Sequence, residues 1–134
     1  MSNRGVVLNV AIGVDRWTVE ALRAQNKPVP PPHSCEALVD TGASGLALDK
    51  TVVQALNLKK KGIVTKYTPA GKGVANMYFV ALAFPGTNLR SYDMLRATEV
   101  DLTGQPFKCL IGRETMVNWH LHYNGQTGQI SISD

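Results

Sequence analysis

Apolar and polar residues alternate along much of this chain, which is the period-two pattern of strands that bury one face. In the first such segment Val6, Leu8, Val10 and Ile12 share a face. Further strands are predicted at 34–40, 63–67, 76–84, 92–100 and 107–111, with a last hairpin from 120–123 and 129–133. The pattern therefore predicts a mostly β fold.

Three segments depart from strand periodicity. Residues 17–25 carry apolar side chains at helical spacing, and the prolines at 28, 30, 31 and 32 then predict a stiff, extended connector. Asp49 is a good N-cap for a second helix over 50–58. A third, short helix is predicted at 113–119. The helices are few and short beside the strands.

Size and composition exclude several classes of protein. The 134 residues, 44% of them apolar and 18% charged, predict one globular domain over 1–134 rather than a disordered chain. The longest apolar stretches are shorter than the ~20 residues of a membrane span, and no signal-peptide profile opens the chain. We therefore expect a cytoplasmic protein with no membrane partner, in which Cys35 and Cys109 are free thiols.

The charge pattern gives no sign of a nucleic-acid partner. The net charge of +4 is mild. The basic cluster of Lys59, Lys60 and Lys61 with Lys66 lacks interleaved aromatic residues, so it is interpreted as a solvated helix exit.

One predicted strand ends in residues whose side chains could take part in catalysis. The apolar run 37–39 leads directly into Asp40, Thr41 and Gly42, so burial of the strand carries the carboxylate to the edge of the core. Gly42 allows a sharp turn, and Thr41 and Ser44 supply hydroxyls nearby. Later in the chain an apolar pair precedes Gly112 and Arg113.

These two segments together resemble the paired elements of retropepsins, the single-domain aspartic proteases of retroviral type, over roughly residues 34–132. The helix at 50–58 is similar to one in bacterial members of that family. The resemblance implies a closed β-barrel of the acid-protease type with one or two short helices and a flap hairpin around 67–78. The helix and proline-rich loop of 17–33 are then an insertion into that single domain.

The resemblance also implies a mechanism. Aspartic proteases activate water between two carboxylates that share a proton. This chain has one Asp-Thr-Gly and is too short for a second lobe, so Asp40 must meet the Asp40 of a second chain in a homodimer. We expect an endopeptidase that acts on peptide or protein substrates and needs no cofactor.

Site residues follow by position. Asp40 is the expected catalytic residue, Thr41, Gly42, Ala43 and Ser44 form its supporting loop, and Gly112 and Arg113 are structural. Viral enzymes pair the equivalent of Arg113 with an aspartate at the position of Ser44, so here Glu36 or Glu114 is the candidate partner. The expected substrate-binding residues are the flap residues Ala70, Gly71, Lys72 and Gly73 and the pocket-wall residues Leu46, Leu48, Met77 and Ile111.

Other interpretations stay open. The chain could be a catalytically silent peptide-binding or dimerisation module on the same fold, or a narrow protease that processes only its own precursor or one partner. His120 and His122 share one face of a strand and could hold a metal, but a third ligand is not evident, so no metal site is predicted.

Overall fold

A computed structural model describes residues 6–117, 119–123, 126 and 130–133. About half of the described residues lie in strands. The strands and helices of this part, in chain order, are β1 Val6–Val14, α1 Arg16–Ala24, β2 His33–Val39, β3 Leu46–Asp49, α2 Lys50–Ala55, β4 Gly62–Thr68, β5 Gly71–Ala83, β6 Tyr92–Val100, β7 Cys109–Ile111, α3 Arg113–Met116, β8 His120–Tyr123 and β9 Ile130–Ser133.

The main sheet closes on itself. Its strand order is β1-β2-β7-β3-β6-β5-β4. Because β1 also pairs with β5, six strands form a ring, and β4 pairs with β5 outside this ring. The β2–β7 and β3–β6 pairs are parallel and the remaining pairs of this sheet are antiparallel. The prediction of a mostly β fold is confirmed, and the predicted closed sheet is present as this six-stranded ring. Strands β8 and β9 form a separate antiparallel pair.

The core consists of apolar side chains from the ring strands and from α2. In β1 the buried residues are Val10, Ile12 and Val14, which confirms the predicted alternation. The same holds for β5, where Tyr78, Val80 and Leu82 are buried. Helix α2 adds Val52 and Val53 to this cluster. Because side chains alternate across a strand, one face of each of these strands is committed to the core.

Both longer helices begin at a capping aspartate. The Asp15 carboxylate accepts a hydrogen bond from Thr18 N at the start of α1, and Asp49 accepts one from Thr51 N at the start of α2. Helix α2 is shorter than the predicted 50–58, because Asn57 takes a left-handed conformation with φ of 50° that ends the helix. Among the described residues, no helix combines the length and apolar character needed to cross a bilayer.

The two cysteines are free thiols, as expected. Cys109 is fully buried in β7 and Cys35 is half-buried in the neighbouring β2. Burial, and secondarily the charge of Glu36, raise the pKa of Cys35 to about 11, and burial raises the pKa of Cys109 further. Both thiols therefore stay protonated and poorly nucleophilic at neutral pH.

Candidate active site

The two segments singled out in the sequence meet at the end of β2. The parallel pairing of β2 with β7 places Val39 opposite Ile111. One residue on, Asp40 N donates to the Ile111 carbonyl at 2.9 Å. The loop that follows, residues 40–45, leads into β3. Asp40 is thus positioned by main-chain pairing with the strand that precedes Gly112.

The loop wraps around the Asp40 side chain, which is half-buried. Gly42 N donates to Asp40 Oδ1 at 2.9 Å, and Ala43 N donates to the Asp40 carbonyl at 3.1 Å. A Cβ on residue 42 would lie 3.2 Å from Asp40 Oδ1, a tight contact on the carboxylate. Thr41 and Ser44 are exposed. The loop anchors the carboxylate with a backbone amide and leaves it partly exposed.

Gly112 is required by a close approach of two backbones. A Cβ at this position would lie 2.5 Å from Gly45 O, 2.7 Å from Gly45 N and 2.8 Å from Ala43 O. Beyond it, Arg113 N donates to Ala43 O at 2.9 Å and Glu114 N donates to Ser44 O at 2.8 Å. The start of α3 is therefore hydrogen-bonded to the loop after Asp40. A side chain at position 112 would push the two segments apart.

The Arg113 side chain corrects an expectation from the sequence. Its Nη1 donates to the main-chain carbonyl of Thr41 at 2.8 Å. Among the described residues neither Glu36 nor Glu114 forms an ion pair with it, and Glu114 instead lies 3.6 Å from Arg96. The Thr41 carbonyl therefore accepts the hydrogen bond for which an acidic side chain was expected. Since every residue carries a carbonyl, no sequence signal could have identified this partner.

A groove of about 430 Å³ opens beside the Asp40 loop. Its lining comes from the loop after Asp40, from β3, β4 and β6, and from single residues of β7 and α3. The residues lining it are Ala43, Ser44, Gly45, Leu46, Ala47, Val64, Thr65, Lys66, Tyr67, Arg96, Thr98, Val100, Leu110 and Glu114. Arg96, Thr98 and Val100 were not predicted here, although their period of two along β6 was a signal that they share a face.

The predicted substrate-binding residues divide into three groups. Leu46 lines this groove, with most of its side chain buried beneath it. Leu48 and Ile111 are fully buried in the core and do not line it. Met77 is half-buried in β5, where its Cε lies 3.4 Å from the position of a Cβ on Gly62, and it does not line the groove either.

The predicted flap is the β4–β5 hairpin. Thr68 pairs with Gly71, so the connecting turn is Pro69–Ala70, shorter than the segment 68–75 between the two predicted strands. Gly71 has φ of 130°, a value that side-chain-bearing residues rarely adopt. The four predicted flap residues, all exposed, border a shallower cavity of about 340 Å³ next to the groove; they are Ala70, Gly71, Lys72 and Gly73.

The fold has a counterpart among solved structures. The chain is similar to a retropepsin-like aspartic protease from Rickettsia conorii, with a TM-score of 0.51 and 15% sequence identity over 95% of this chain and 90% of that one. The shared feature is the fold.

A second solved structure is a DUF785 protein of unknown function from Legionella pneumophila, with a TM-score of 0.45 and 14% identity over 87% of this chain and 89% of that one. No family model and no curated protein matches the chain. At these identities the likeness to the retropepsin-like protein concerns architecture, so the chemistry has to be argued from this chain's own residues.

Two ionisable groups of the β4–β5 hairpin have shifted pKa values. Lys66 is half-buried and borders both the groove and the shallower cavity, and this burial lowers the pKa of its ammonium group. Tyr78 donates from its hydroxyl to Glu99 Oε1 at 2.8 Å, and burial together with this carboxylate raises the pKa of Tyr78. The tyrosine therefore stays neutral and holds Glu99 in place.

Metal-ligating side chains do not gather at this site. Within the part of the chain that the structure describes, no group of three or more His, Cys, Asp or Glu side chains could hold a metal ion. The side chains of His120 and His122 lie outside the described residues. The expectation that no metal is bound there stays a prediction.

Proposed function

We propose that this chain is a retropepsin-like aspartic endopeptidase in which Asp40 from each of two identical chains activates one water molecule. The observation that carries the proposal is the carboxylate at the end of β2, anchored by the Gly42 amide at 2.9 Å in a loop whose residues Ala43, Ser44 and Gly45 line the 430 Å³ groove. The fold likeness to a retropepsin-like protease supports the same assignment.

The need for a second chain follows from what the other acids do. Asp15 and Asp49 cap helices, and Asp101 accepts from Thr103 N in its own turn. Asp93 and Glu114 lie in ion pairs with Arg16 and Arg96, and Glu99 accepts from Tyr78. Glu20 and Glu36 are exposed on α1 and β2, and Asp134 lies outside the described residues. Asp40 of a symmetry-related chain is therefore the proposed second carboxylate.

In the proposed mechanism the two carboxylates share one proton, because two such charges about 3 Å apart cannot both ionise cheaply. The ionised carboxylate takes a proton from water as the water oxygen attacks the scissile carbonyl carbon. The protonated carboxylate donates a hydrogen bond to the carbonyl oxygen. The tetrahedral intermediate then collapses, the C–N bond breaks, and the departing amine takes a proton from the acid. Arg113 and Gly112 act by positioning the loop.

The substrate is proposed to lie extended in the groove, where it would add a strand between the β3–β6 floor and the β4–β5 hairpin. Leu46 would form a pocket wall, while Met77 and Ile111 would support the site from behind it. The hairpin tip with Ala70, Gly71, Lys72 and Gly73 would close over the peptide as a flap. Thr41 would hydrogen-bond to the partner's loop. Two free thiols fit a reducing compartment such as the cytoplasm.

The test is the Asp40→Asn variant, with Asp93→Asn as the matched control because Asp93 is exposed in an ion pair with Arg16. A diverse peptide mixture is incubated with each protein across pH, with and without a pepstatin-like inhibitor, and products are identified by mass spectrometry. We expect the parent and the control to cleave, the inhibitor to block both, and the Asp40 variant to be inactive while it still forms dimers and binds peptide. Cleavage by the Asp40 variant at the parental rate would refute the assignment. Binding of peptide without cleavage by the parent would favour the silent module.

A further inference from the structure

A second cavity, of about 360 Å³, lies between α1, the proline-rich connector and the end of α2. It shares none of its lining residues with the groove beside Asp40. The helix and connector that build it belong to the segment 17–33, which the proposed protease chemistry does not use. This cavity is therefore a candidate for a separate binding function.

The walls of the cavity are largely apolar. Leu22 comes from α1, Leu56 and Leu58 come from the end of α2, and Phe79 comes from β5. Pro28 and Pro30 of the connector add two rigid apolar rings. Apolar area of this kind stabilises a bound alkyl chain, because both surfaces are removed from water.

The rim of the cavity is cationic. Lys27, Lys59 and Lys61 line it, their side chains are exposed, and none forms an ion pair within the described residues. The one acidic lining residue, Asp15, is 4% exposed, and its carboxylate already accepts from Thr18 N and Thr18 Oγ1. Within the described part of the chain, Asp15 forms no ion pair with the three lysines, whose ammonium groups are therefore free to bind an anion.

The main chain holds two of these lysines in place. Lys27 N donates to Leu22 O at 2.9 Å at the end of α1, and Lys61 N donates to Met77 O at 2.8 Å beside β5. Their side chains therefore start from fixed points on either side of the opening, which lowers the ordering cost of binding a charged group.

We propose that this cavity binds a small amphipathic carboxylate, with an alkyl chain against the leucines and Phe79 and the carboxylate among the three lysines. The volume lies within the range of small-molecule sites, and the apolar wall with a cationic rim is complementary to such a ligand. A neutral alkyl compound has no charge to pair with the lysines, and a cationic one is repelled by them. A carboxylate without an alkyl chain leaves the apolar wall exposed to water. The proposal does not depend on the protease function.

Decanoate is the test probe, titrated below its micelle concentration and followed by calorimetry and two-dimensional NMR. Acetate, 1-decanol and decylammonium are the matched ligands. The test variant is Lys59→Gln with Lys61→Gln, and Lys60→Gln is the matched control, since Lys60 is an exposed neighbour that does not line the cavity. Loss of two charge-assisted contacts is expected to weaken decanoate binding at least about tenfold, while the Lys60 variant stays within about twofold of the parent.

A third variant, Leu22→Trp, fills the cavity, and thermal unfolding first establishes that it folds. It is expected to abolish decanoate binding. The NMR signals of Trp17 report on binding in the cavity, because its ring lies edge-on to the lining residue Phe79 with centroids 6.4 Å apart. Equal binding of decanoate and decylammonium, equal binding by the lysine variant and the parent, or undiminished binding by a folded Leu22→Trp variant would each overturn the proposal.

Discussion

The guanidinium of Arg113 donates from Nη1 to the main-chain carbonyl of Thr41 at 2.8 Å, across 72 positions of sequence. The main-chain amide of Arg113 also donates to this loop, to Ala43 O at 2.9 Å, so the residue is attached to the loop at two points. Together they hold the loop after Asp40 against the start of α3. We therefore expect Arg113 to influence the orientation of the Asp40 carboxylate through this loop.

Replacement of Arg113 by alanine should lower peptidase activity much more than stability. The bond to Thr41 is exposed, so its loss should cost about 1 kcal/mol of unfolding free energy or less. A loosened loop should lower kcat/KM at least about tenfold, because the reacting groups lose their alignment. Arg113→Lys should retain part of the activity. Arg23→Ala, an exposed change on α1, is the control. Equal losses of activity in the Arg113 and Arg23 variants would contradict the positioning role.

Mixing active and inactive chains tests whether both carboxylates are needed. If parent and Asp40→Asn chains pair at random in an isologous dimer, an equimolar mixture contains about one quarter parental dimers. Activity at fixed total protein concentration should then fall to about one quarter of that of the parent alone. A fall to one half, the value for independent chains, would rule out a shared site. The measurement is the initial rate after the subunits have exchanged.

Gly112→Ala should be strongly destabilising. The added Cβ would meet Gly45 O at 2.5 Å, and neither backbone can move without breaking the bonds between the loop and α3. We expect a loss of about 1–3 kcal/mol in unfolding free energy, measured by denaturant titration. The control is Gly73→Ala, where nothing lies within 4 Å of the added Cβ. It should change stability by less than about 1 kcal/mol. Similar values for the two variants would count against the close approach.

Stability in acid should depend on Asp49. Burial pushes the pKa of Asp49 upward, but hydrogen bonds from Thr51 and Leu102 and the charge of Lys108 outweigh it, so the pKa lies below its usual value. A lowered pKa in the folded state means that the carboxylate stabilises the fold above its unfolded pKa of about 3.9 and loses this contribution as the pH falls through the folded value.

The measurement is the unfolding free energy of the parent and of Asp49→Asn between about pH 6 and pH 2. The variant should be less stable at neutral pH by about 1–2 kcal/mol, because the hydrogen bonds from Thr51 and Leu102 no longer go to a charged carboxylate. Its stability should also fall less steeply below about pH 4. Parallel pH curves for the two proteins would show that another group governs acid sensitivity. Asp93→Asn is the matched surface control.

Much of the local structure was readable from particular residues. Alternation in β1 and β5 identified their buried faces, and Asp49 was identified as the cap of α2. The cap of α1 at Asp15 was not predicted. The end of α2 was predicted too late, since the left-handed turn at Asn57 depends on how the following chain leaves the helix. Leu48 and Ile111 were expected in a pocket wall but lie in the core, because hydrophobicity alone does not distinguish a buried side chain from one that lines a groove.

By itself the sequence determined the strands other than β3, the helix starts, the aspartate at the end of β2 and the glycine beside its loop, because each depends on residue type and spacing within a few positions. Only the tertiary structure decided the closure of the ring between β1 and β5, the Thr41 carbonyl as the partner of Arg113, and the lysine-rimmed cavity over α1 and α2. These features join residues far apart in the chain through backbone groups or surface shape. Backbone groups are the same in every residue, and shape arises only when the elements pack, so neither leaves a local trace in the sequence.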